Sequence, residues 1–203
     1  MASLWEHVSV RDQYTYDVIK SMTNKKIYKV CDPTLLLTKI DYSKLIKPNE
    51  GKKKFLFLYL FKSPTDNQME EINSFAKSHN LILIQGTGIR KMKFVDKVIP
   101  NSPSFFLQYF YNAEYVITDT FHGVMFSINF EKNFLVLQRN KNKVNDLLVF
   151  FDLNNRIVDF ETDIVNRLNL PIDYHNLKEK IGAMRDASWE YLKESLDVFS
   201  AGA

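Results

Sequence analysis

The sequence predicts an α/β protein in which a Rossmann-like parallel sheet carries helices on both faces. Strand-like and helix-like segments alternate with short turns between them, which is typical of a parallel sheet covered by helices. Residues 55–61 form an unbroken apolar run, as expected for a strand buried on both faces of such a sheet. We predict strands at residues 4–10, 27–31, 55–61, 81–84, 115–118 and 134–137. We predict helices at residues 12–22, 63–78, 103–111, 123–130, 144–151 and 174–199.

Turn and capping residues mark the ends of the segments in the first half. The alternating strand at 27–31 stops at Asp32-Pro33, a turn signal. A lysine-rich segment with a proline and a glycine, residues 46–54, is expected to form a loop. The next helix has a proline early and either Thr65 or Asp66 near its N-cap.

Similar signals order the second half. Ser102 is expected to be an N-cap, with Pro103 at the first helical position. The last segment is an amphipathic helix, because its apolar residues recur at spacings of three, four or their multiples: Leu177, Ile181, Met184, Leu192, Leu196 and Phe199. We therefore divide the chain into a Rossmann-like domain at residues 1–173 and a C-terminal helix at 174–203.

The composition excludes several classes of protein. The chain has 203 residues, of which 45% are hydrophobic and 14% aromatic, which supports a single core and argues against disorder. Its 27 Lys and Arg nearly balance 24 Asp and Glu, so we expect no nucleic-acid partner. The single cysteine, Cys31, rules out an intrachain disulfide, and the dispersed histidines predict no metal site. No apolar run approaches the roughly 18 residues that span a bilayer, and no signal peptide is recognisable, so we expect a cytoplasmic protein.

Arg11 is the first candidate binding residue. Only six of the 27 basic residues are arginines, the cations suited to bidentate recognition of anions. Arg11 closes the first strand and precedes a helix, whose N-terminus would favour the same anion. The alternative is a surface arginine paired with Asp12 or another carboxylate. Asp32, which follows the second strand, is expected to cap the next turn through its side chain.

The turn at residues 118–123 is the richest candidate site. It places a carboxylate, two hydroxyls and an imidazole after a strand, where open α/β sheets bind ligands. His122 can donate to an anion or shuttle a proton, and Asp119 can cap the helix or orient His122. Gly123 would let the backbone approach a ligand beside the free N–H groups of the helix. The alternative is a histidine without a functional role.

Two loops are weaker candidates. Residues 85–88 resemble a phosphate-binding loop, but the Gly-rich spacing is incomplete and no Lys-Ser/Thr follows, so a turn is the better interpretation. Arg139 and Lys143 follow a strand end, where they could add cationic contacts or belong to a solvated loop. Neither HExxH nor GxSxG occurs in the chain.

The order of these motifs resembles the polysaccharide pyruvyl transferase family over roughly residues 8–155. The shared segments are Ser-Val-Arg-Asp, Asp-Pro-Thr-Leu-Leu, Ser-Pro and, most specifically, Ala-Glu-Tyr-Val-Ile-Thr-Asp-Thr-Phe-His-Gly. The resemblance implies a fold similar to the GT-B glycosyltransferases, with two Rossmann-like halves and a cleft between them. The segment around Arg11 lies near the middle of family members, so the chain resembles their C-terminal half. The final helix is then expected to pack on this half or cross to the other, which would carry most of the acceptor surface.

The resemblance also implies an activity. Pyruvate is transferred from phosphoenolpyruvate to two hydroxyls of a sugar as a ketal, in the biosynthesis of capsular or other cell-surface polysaccharides, without a cofactor. By resemblance, Arg11 and His122 fall at donor-binding positions. We hypothesise that His122 and Asp119 are catalytic and that the donor is bound by Arg11, Thr120, Phe121, His122, Gly123, Arg139 and Lys143. Some family members have an arginine where this chain has Thr120-Phe121, so Lys143 or Arg139 is the candidate substitute.

The expected partners are phosphoenolpyruvate, a sugar or lipid-linked oligosaccharide acceptor at the inner face of the membrane, and further copies of the chain in a homo-oligomer. Two other functions remain open. One is a GT-B glycosyltransferase that uses a nucleotide sugar, although the loop after Leu137 offers no carboxylate for the ribose before Asp146. The other is a non-catalytic Rossmann-like module that only docks to a partner.

Overall fold

The computed structural model describes residues 7–47, 53–86, 90–100, 102–137, 142–159 and 163–201, in which strands and helices alternate along the chain. The strands are β1 (Val8–Val10), β2 (Ile27–Lys29), β3 (Phe55–Tyr59), β4 (Ile82–Gln85), β5 (Lys97–Val98), β6 (Tyr115–Thr118), β7 (Asn133–Leu137) and β8 (Ile157–Val158). The α-helices are α1 (Gln13–Met22), α2 (Lys39–Ser43), α3 (Asp66–Ser78), α4 (Pro103–Asn112), α5 (Phe121–Asn129), α6 (Asn142–Phe150), α7 (Ile164–Asn169) and α8 (Tyr174–Ala201). Short 3-10 helices occur at Pro33–Leu35 and Asn154–Arg156.

The strands form two separate parallel sheets. Six of them make one sheet in the order β5-β4-β3-β6-β7-β8, and β1 pairs only with β2. All of the pairings are parallel. The predicted α/β class is therefore confirmed, but the sequence did not indicate that the first two strands lie outside the main sheet.

The main sheet is covered by helices on both faces. Phe55 and Phe57 of β3 point into one core, which also contains residues of α4, α5, α6 and α8. Leu56 and Leu58 of the same strand point into the other core, which contains residues of α3 and α7. These four side chains are at most 3% exposed, which explains why the strand reads as a continuous apolar run.

The predicted helix starts are confirmed. Thr65 caps α3 in a capping box, in which its hydroxyl accepts from the N–H of Gln68 and the Gln68 side chain accepts from the N–H of Thr65. Ser102 caps α4, with Pro103 at the first helical position.

Four elements were not predicted: α2, β5, α7 and β8. They contain only two to six residues, too few for a periodic pattern to develop.

Helix α8 joins the two sheets. Leu177 and Ile181, near its start, are buried in the core of the main sheet. Farther along, the hydroxyl of Ser188 accepts a 2.8 Å hydrogen bond from the backbone N–H of Cys31. The ring of Tyr191 packs against Tyr28 of β2, with 4.8 Å between the centroids. The helix therefore fixes the position of the small sheet.

Within the described residues, none of the helices combines the length and apolarity needed to cross a membrane.

Candidate functional site

The candidate site lies where the carboxyl ends of three strands meet. Arg11 directly follows β1, Asp32 comes soon after β2, and His122 lies in the first turn of α5, which follows β6. The first two belong to the small sheet and the third to the main sheet. The site therefore forms at the junction between the two sheets, held by α8.

Asp32 is the buried centre of this junction, because its side chain is only 1% exposed. Its Oδ1 accepts hydrogen bonds from the N–H and hydroxyl of Thr34, at 3.0 and 2.7 Å, and caps the following 3-10 helix. Its Oδ2 accepts a charge-assisted hydrogen bond from Nη1 of Arg11. The capping role expected for Asp32 is confirmed. Its ion pair with Arg11 is an additional role that the sequence did not predict.

Arg11 is held from two sides. Its guanidinium pairs with Asp32 and lies over the ring of Phe121, 4.9 Å from the centroid. The side chain is nevertheless 39% exposed. Arg11 is therefore paired with a carboxylate, as in the second interpretation, and is also exposed at a strand end, as an anion-binding residue would be.

His122 lies beside the same carboxylate. Its Nε2 is 4.0 Å from Oδ2 of Asp32, and its side chain is 53% exposed. The ring of Phe121 is perpendicular to the imidazole, at 5.7 Å between the centroids. An imidazole with a buried carboxylate on one side and solvent on the other is able to donate to a ligand or exchange a proton with it.

Asp119 anchors the chain that follows β3. Its Oδ1 accepts from the N–H of Phe61 at 3.0 Å, and its Oδ2 accepts from the N–H of Lys62 at 3.2 Å. This buried carboxylate therefore fixes the chain leaving β3. Asp32, whose Oδ2 lies 4.0 Å from Nε2 of His122, is a second candidate for orienting the imidazole.

Gly123 has a packing role in addition to the one expected from the sequence. A Cβ at this position would lie 2.1 Å from Oγ1 of Thr118 and 2.7 Å from Oγ1 of Thr120. Packing between β6 and α5 thus requires the glycine. Its N–H is already engaged, because it donates to the hydroxyl of Thr120, the N-cap of α5.

A second pair of charges lies near Arg11. Asp12 caps α1 by accepting from the N–H and hydroxyl of Thr15, both at 2.8 Å. Nζ of Lys143 lies 3.5 Å from Oδ2 of Asp12. Burial opposes ionisation of Asp12, but the Thr15 hydrogen bonds and the charge of Lys143 outweigh it, so the pKa of Asp12 is lowered. The Asp12 carboxylate already caps the N-terminus of α1. An anion bound here would therefore be held by the Arg11 side chain and not by the helix N–H groups.

A cavity of about 670 Å³ opens between these groups. It is bounded by the starts of α1 and α5, the end of β2, and one face each of α6 and α8. Three of the predicted donor-binding residues line it, Arg11, Phe121 and Lys143. Sequence reasoning missed the contributions of Lys29, Asp146 and Lys180, since only the helix packing brings them to this cavity. Arg139 lies outside the described residues.

Comparisons with known proteins place the fold. A UDP-N-acetylglucosamine 2-epimerase superimposes with a TM-score of 0.60 at 11% identity, covering 98% of this chain and 59% of that one. The UDP-GlcNAc 2-epimerase from Neisseria meningitidis, bound to UDP-GlcNAc, gives 0.57 at 9% identity and covers 94% and 56%. The enzyme from Methanocaldococcus jannaschii, in complex with UDP-GlcNAc and UDP, gives 0.55 at 13% identity and covers 88% and 54%.

These likenesses show the fold alone, and the chain spans roughly half the length of the solved structures it resembles. No curated protein matches the sequence. The family model of the polysaccharide pyruvyl transferases, in contrast, matches residues 1–141, a stretch that contains Arg11, Asp32, Asp119 and His122. The chain therefore belongs to the polysaccharide pyruvyl transferase family.

Proposed function

We propose that this chain provides the donor-binding part of an active site that transfers pyruvate from phosphoenolpyruvate to sugar hydroxyls. The observation that carries the proposal is the convergence of Arg11 and His122 on one buried carboxylate, Asp32. These residues come from three separate segments, and all three lie within the region that matches the family. A cavity large enough for a substrate opens beside Arg11 and Phe121, whereas His122 and Asp32 are not among its lining residues.

The donor carries a carboxylate and a phosphate, so its site needs cations. A guanidinium has five N–H donors, and the described hydrogen bond to Asp32 uses only Nη1 of Arg11. The remaining donors are available for one anionic group of phosphoenolpyruvate. Lys143 supplies a second positive charge at the same cavity. In this proposal Lys143 replaces the arginine that some family members have at the position of Thr120-Phe121.

His122 supplies the proton chemistry in this proposal. Protonation of the methylene carbon of phosphoenolpyruvate makes its C2 electrophilic, and a positioned acid accelerates such a step by about 10²–10⁴-fold. The Asp32 carboxylate lies beside both Arg11 and His122. The ring of Phe121 contacts the Arg11 guanidinium and the His122 imidazole. His122 either donates this proton or stabilises the departing phosphate.

The product is a ketal on a sugar of a polysaccharide or of its lipid-linked precursor, and the expected setting is synthesis of a capsule or another cell-surface polymer. The family supports a transferase acting in polysaccharide modification. The identity of the donor and the setting are parts of our proposal.

The decisive experiment measures binding and turnover separately in the full-length gene product. We expect Arg11→Ala to weaken phosphoenolpyruvate binding about 10- to 100-fold in a calorimetric titration, the loss of one or two charge-assisted hydrogen bonds. We expect His122→Ala to lower phosphate release at least 100-fold with donor affinity nearly unchanged. Arg167→Ala is the matched control, because α7 packs on the opposite face of the main sheet.

Near-normal turnover by folded His122→Ala would refute the assignment of His122. A titration with UDP-GlcNAc in place of phosphoenolpyruvate separates the alternative function. Saturable binding of the nucleotide sugar without binding of phosphoenolpyruvate would make the protein a nucleotide-sugar transferase. Binding of neither ligand by the full-length product would leave a docking module.

A further inference from the structure

The cavity beside Arg11 is built from two complementary helix faces. On α6 its lining residues are spaced at i, i+3, i+4 and i+7, so they lie on one face: Lys143, Asp146, Leu147 and Phe150. On α8 the same spacing recurs, with two alanines that leave room between the helices: Lys180, Ala183, Met184 and Ala187. The space is thus a regular feature of the helix packing.

The cavity is too large for the donor alone. Its volume of about 670 Å³ lies in the middle of the range, about 300–1,000 Å³, that accommodates drug-sized ligands. Phosphoenolpyruvate has only about ten non-hydrogen atoms, well below that size. With the donor held at Arg11 and Lys143, most of the volume toward α8 is left for a second molecule.

The lining combines four basic side chains with apolar surface suited to a sugar. Of the four, Lys29 is bonded to Gln13 and Lys180 to Asp152, which leaves Arg11 and Lys143 for the donor. Phe121, Phe150 and Met184 provide flat or flexible apolar surface, suited to the C–H face of a pyranose ring. Two carboxylates border this surface, Asp12 and Asp146, and they differ in their hydrogen bonds and ion pairs. Asp12 is bonded to Thr15 and lies next to Lys143, whereas the described part of the chain gives Asp146 no hydrogen bond or ion pair.

We propose that this cavity is the acceptor site, that it takes a pyranose with two hydroxyls close enough to share one ketal carbon, and that Asp146 accepts the proton of the attacking hydroxyl. The inference rests on the proposed function, which supplies the donor. It places the acceptor on this chain, whereas the family resemblance predicts an acceptor surface largely on the other half. Asp146 is exposed on α6, three residues after Lys143, and pairs with none of the described residues. Its carboxylate is well placed to accept from a hydroxyl aimed at the donor.

The reaction balances with the groups in place. The first hydroxyl oxygen bonds to C2 of phosphoenolpyruvate, its proton passes to Asp146, and the methylene carbon gains a proton to become methyl. The second hydroxyl oxygen then bonds to C2, the C2–O bond to phosphate breaks, and phosphate leaves with the bonding electrons. The second hydroxyl proton and the proton on Asp146 restore the acid used in the first step and protonate the phosphate. The products are one ketal and one phosphate, and no oxidant or reductant is needed.

Cavity-filling variants test the site directly. Ala187 is exposed toward the cavity, so Ala187→Leu fills space without overpacking the core. Gly182→Leu is the matched control, because nothing lies within 4 Å of a Cβ at that position and it does not line the cavity. The probes are methyl β-D-galactopyranoside, methyl β-D-glucopyranoside and methyl α-D-mannopyranoside, observed by saturation-transfer NMR with the full-length protein.

We expect at least one glycoside to show saturation transfer in the wild type and in Gly182→Leu, and at least a fivefold weaker signal in Ala187→Leu. Calorimetric affinity for phosphoenolpyruvate should stay within about threefold in all three proteins. Absence of transfer to every glycoside, or an undiminished signal in Ala187→Leu, would overturn the acceptor site. Cavity-dependent glycoside binding without binding of phosphoenolpyruvate would instead overturn the proposed function and leave the sugar site standing.

The role of Asp146 has its own readout. We expect Asp146→Asn to retain glycoside binding, because the amide oxygen also accepts a hydrogen bond. Phosphate release at saturating glycoside and donor should fall at least 50-fold, and Asp146→Glu should recover part of it. Wild-type release by Asp146→Asn would overturn the assignment of Asp146 as the base.

Discussion

Replacing Gly123 by alanine tests how the first turn of α5 is packed. This turn also carries Phe121 and His122, so its packing determines where both side chains lie. The added Cβ would meet the hydroxyls of Thr118 and Thr120 at 2.1 and 2.7 Å, far inside van der Waals contact. Thr118 is fully buried and cannot swing into solvent.

The cost follows from the contacts of Thr118. Its hydroxyl donates to the carbonyl of Tyr59 at 2.8 Å and accepts from the N–H of Thr120 at 3.1 Å. Displacing it removes these two hydrogen bonds, at about 1 kcal/mol each, and overpacking adds about 1–3 kcal/mol. The higher helix propensity of alanine over glycine returns about 1 kcal/mol. We therefore expect Gly123→Ala to lower the free energy of unfolding by about 2–4 kcal/mol.

Urea unfolding followed by circular dichroism measures this change. Gly182→Ala in α8 is the matched control, because a Cβ there meets nothing within 4 Å. Helix propensity alone then predicts that the control raises the free energy of unfolding by about 0.5–1 kcal/mol. The two variants should differ in sign. If Gly123→Ala is as stable as the wild type, the glycine is not required by packing, and a role in ligand approach has to be reconsidered.

Three further changes test other parts of the structure. Burial lowers the pKa of Lys132 from 10.5 to about 8, so between these pH values the unfolded chain binds more protons and stability rises with pH. Below about pH 8, burying the charged Lys132 lowers the free energy of unfolding by about 3 kcal/mol. The contact of its ammonium group with the Tyr111 ring offsets part of this loss. Lys132→Met should thus stabilise the chain by about 1–3 kcal/mol in urea unfolding at pH 7, and the gain should shrink towards pH 10.5. Asp119→Asn should lower the free energy of unfolding by about 1–3 kcal/mol in the same assay, because the amide leaves one of two backbone N–H groups without an acceptor. An unchanged unfolding midpoint would contradict this role of Asp119. Ser188→Ala should speed hydrogen exchange at the Cys31 amide about tenfold, and protection like that of the wild type would show that α8 does not hold this segment.

The sequence predicted the four central strands of the main sheet because they carry strong local signals, but it missed the two short edge strands, β5 and β8. The apolar run of β3 and the caps Thr65 and Ser102 depend on neighbours within a few residues, and the structure confirms them. The separation of β1 and β2 from the main sheet has no such signal. It depends on contacts between residues far apart in sequence, such as Cys31 with Ser188.

The site shows the same division. Arg11 and His122 were found because both occupy strand ends, which can be recognised locally. The partner of each was missed, since Asp32 lies 21 residues after Arg11 and 90 before His122 in the numbering of the chain. Asp119 was assigned to His122 because it is close in sequence, yet its carboxylate points to the neighbouring strand. Sequence proximity is a poor guide here, because a turn after a strand can send successive side chains to opposite sides.

The position of the site at the junction of two sheets links its stability to its chemistry. Arg11 and Asp32 belong to the small sheet, whereas Phe121 and His122 belong to the main sheet. The contacts that join the sheets, the Arg11 guanidinium on the Phe121 ring and the Asp32 carboxylate beside His122, are also those that arrange the candidate donor-binding groups. A change that loosens α8 from the small sheet should therefore weaken anion binding before it unfolds the main sheet, because the two cores are packed independently of β1 and β2.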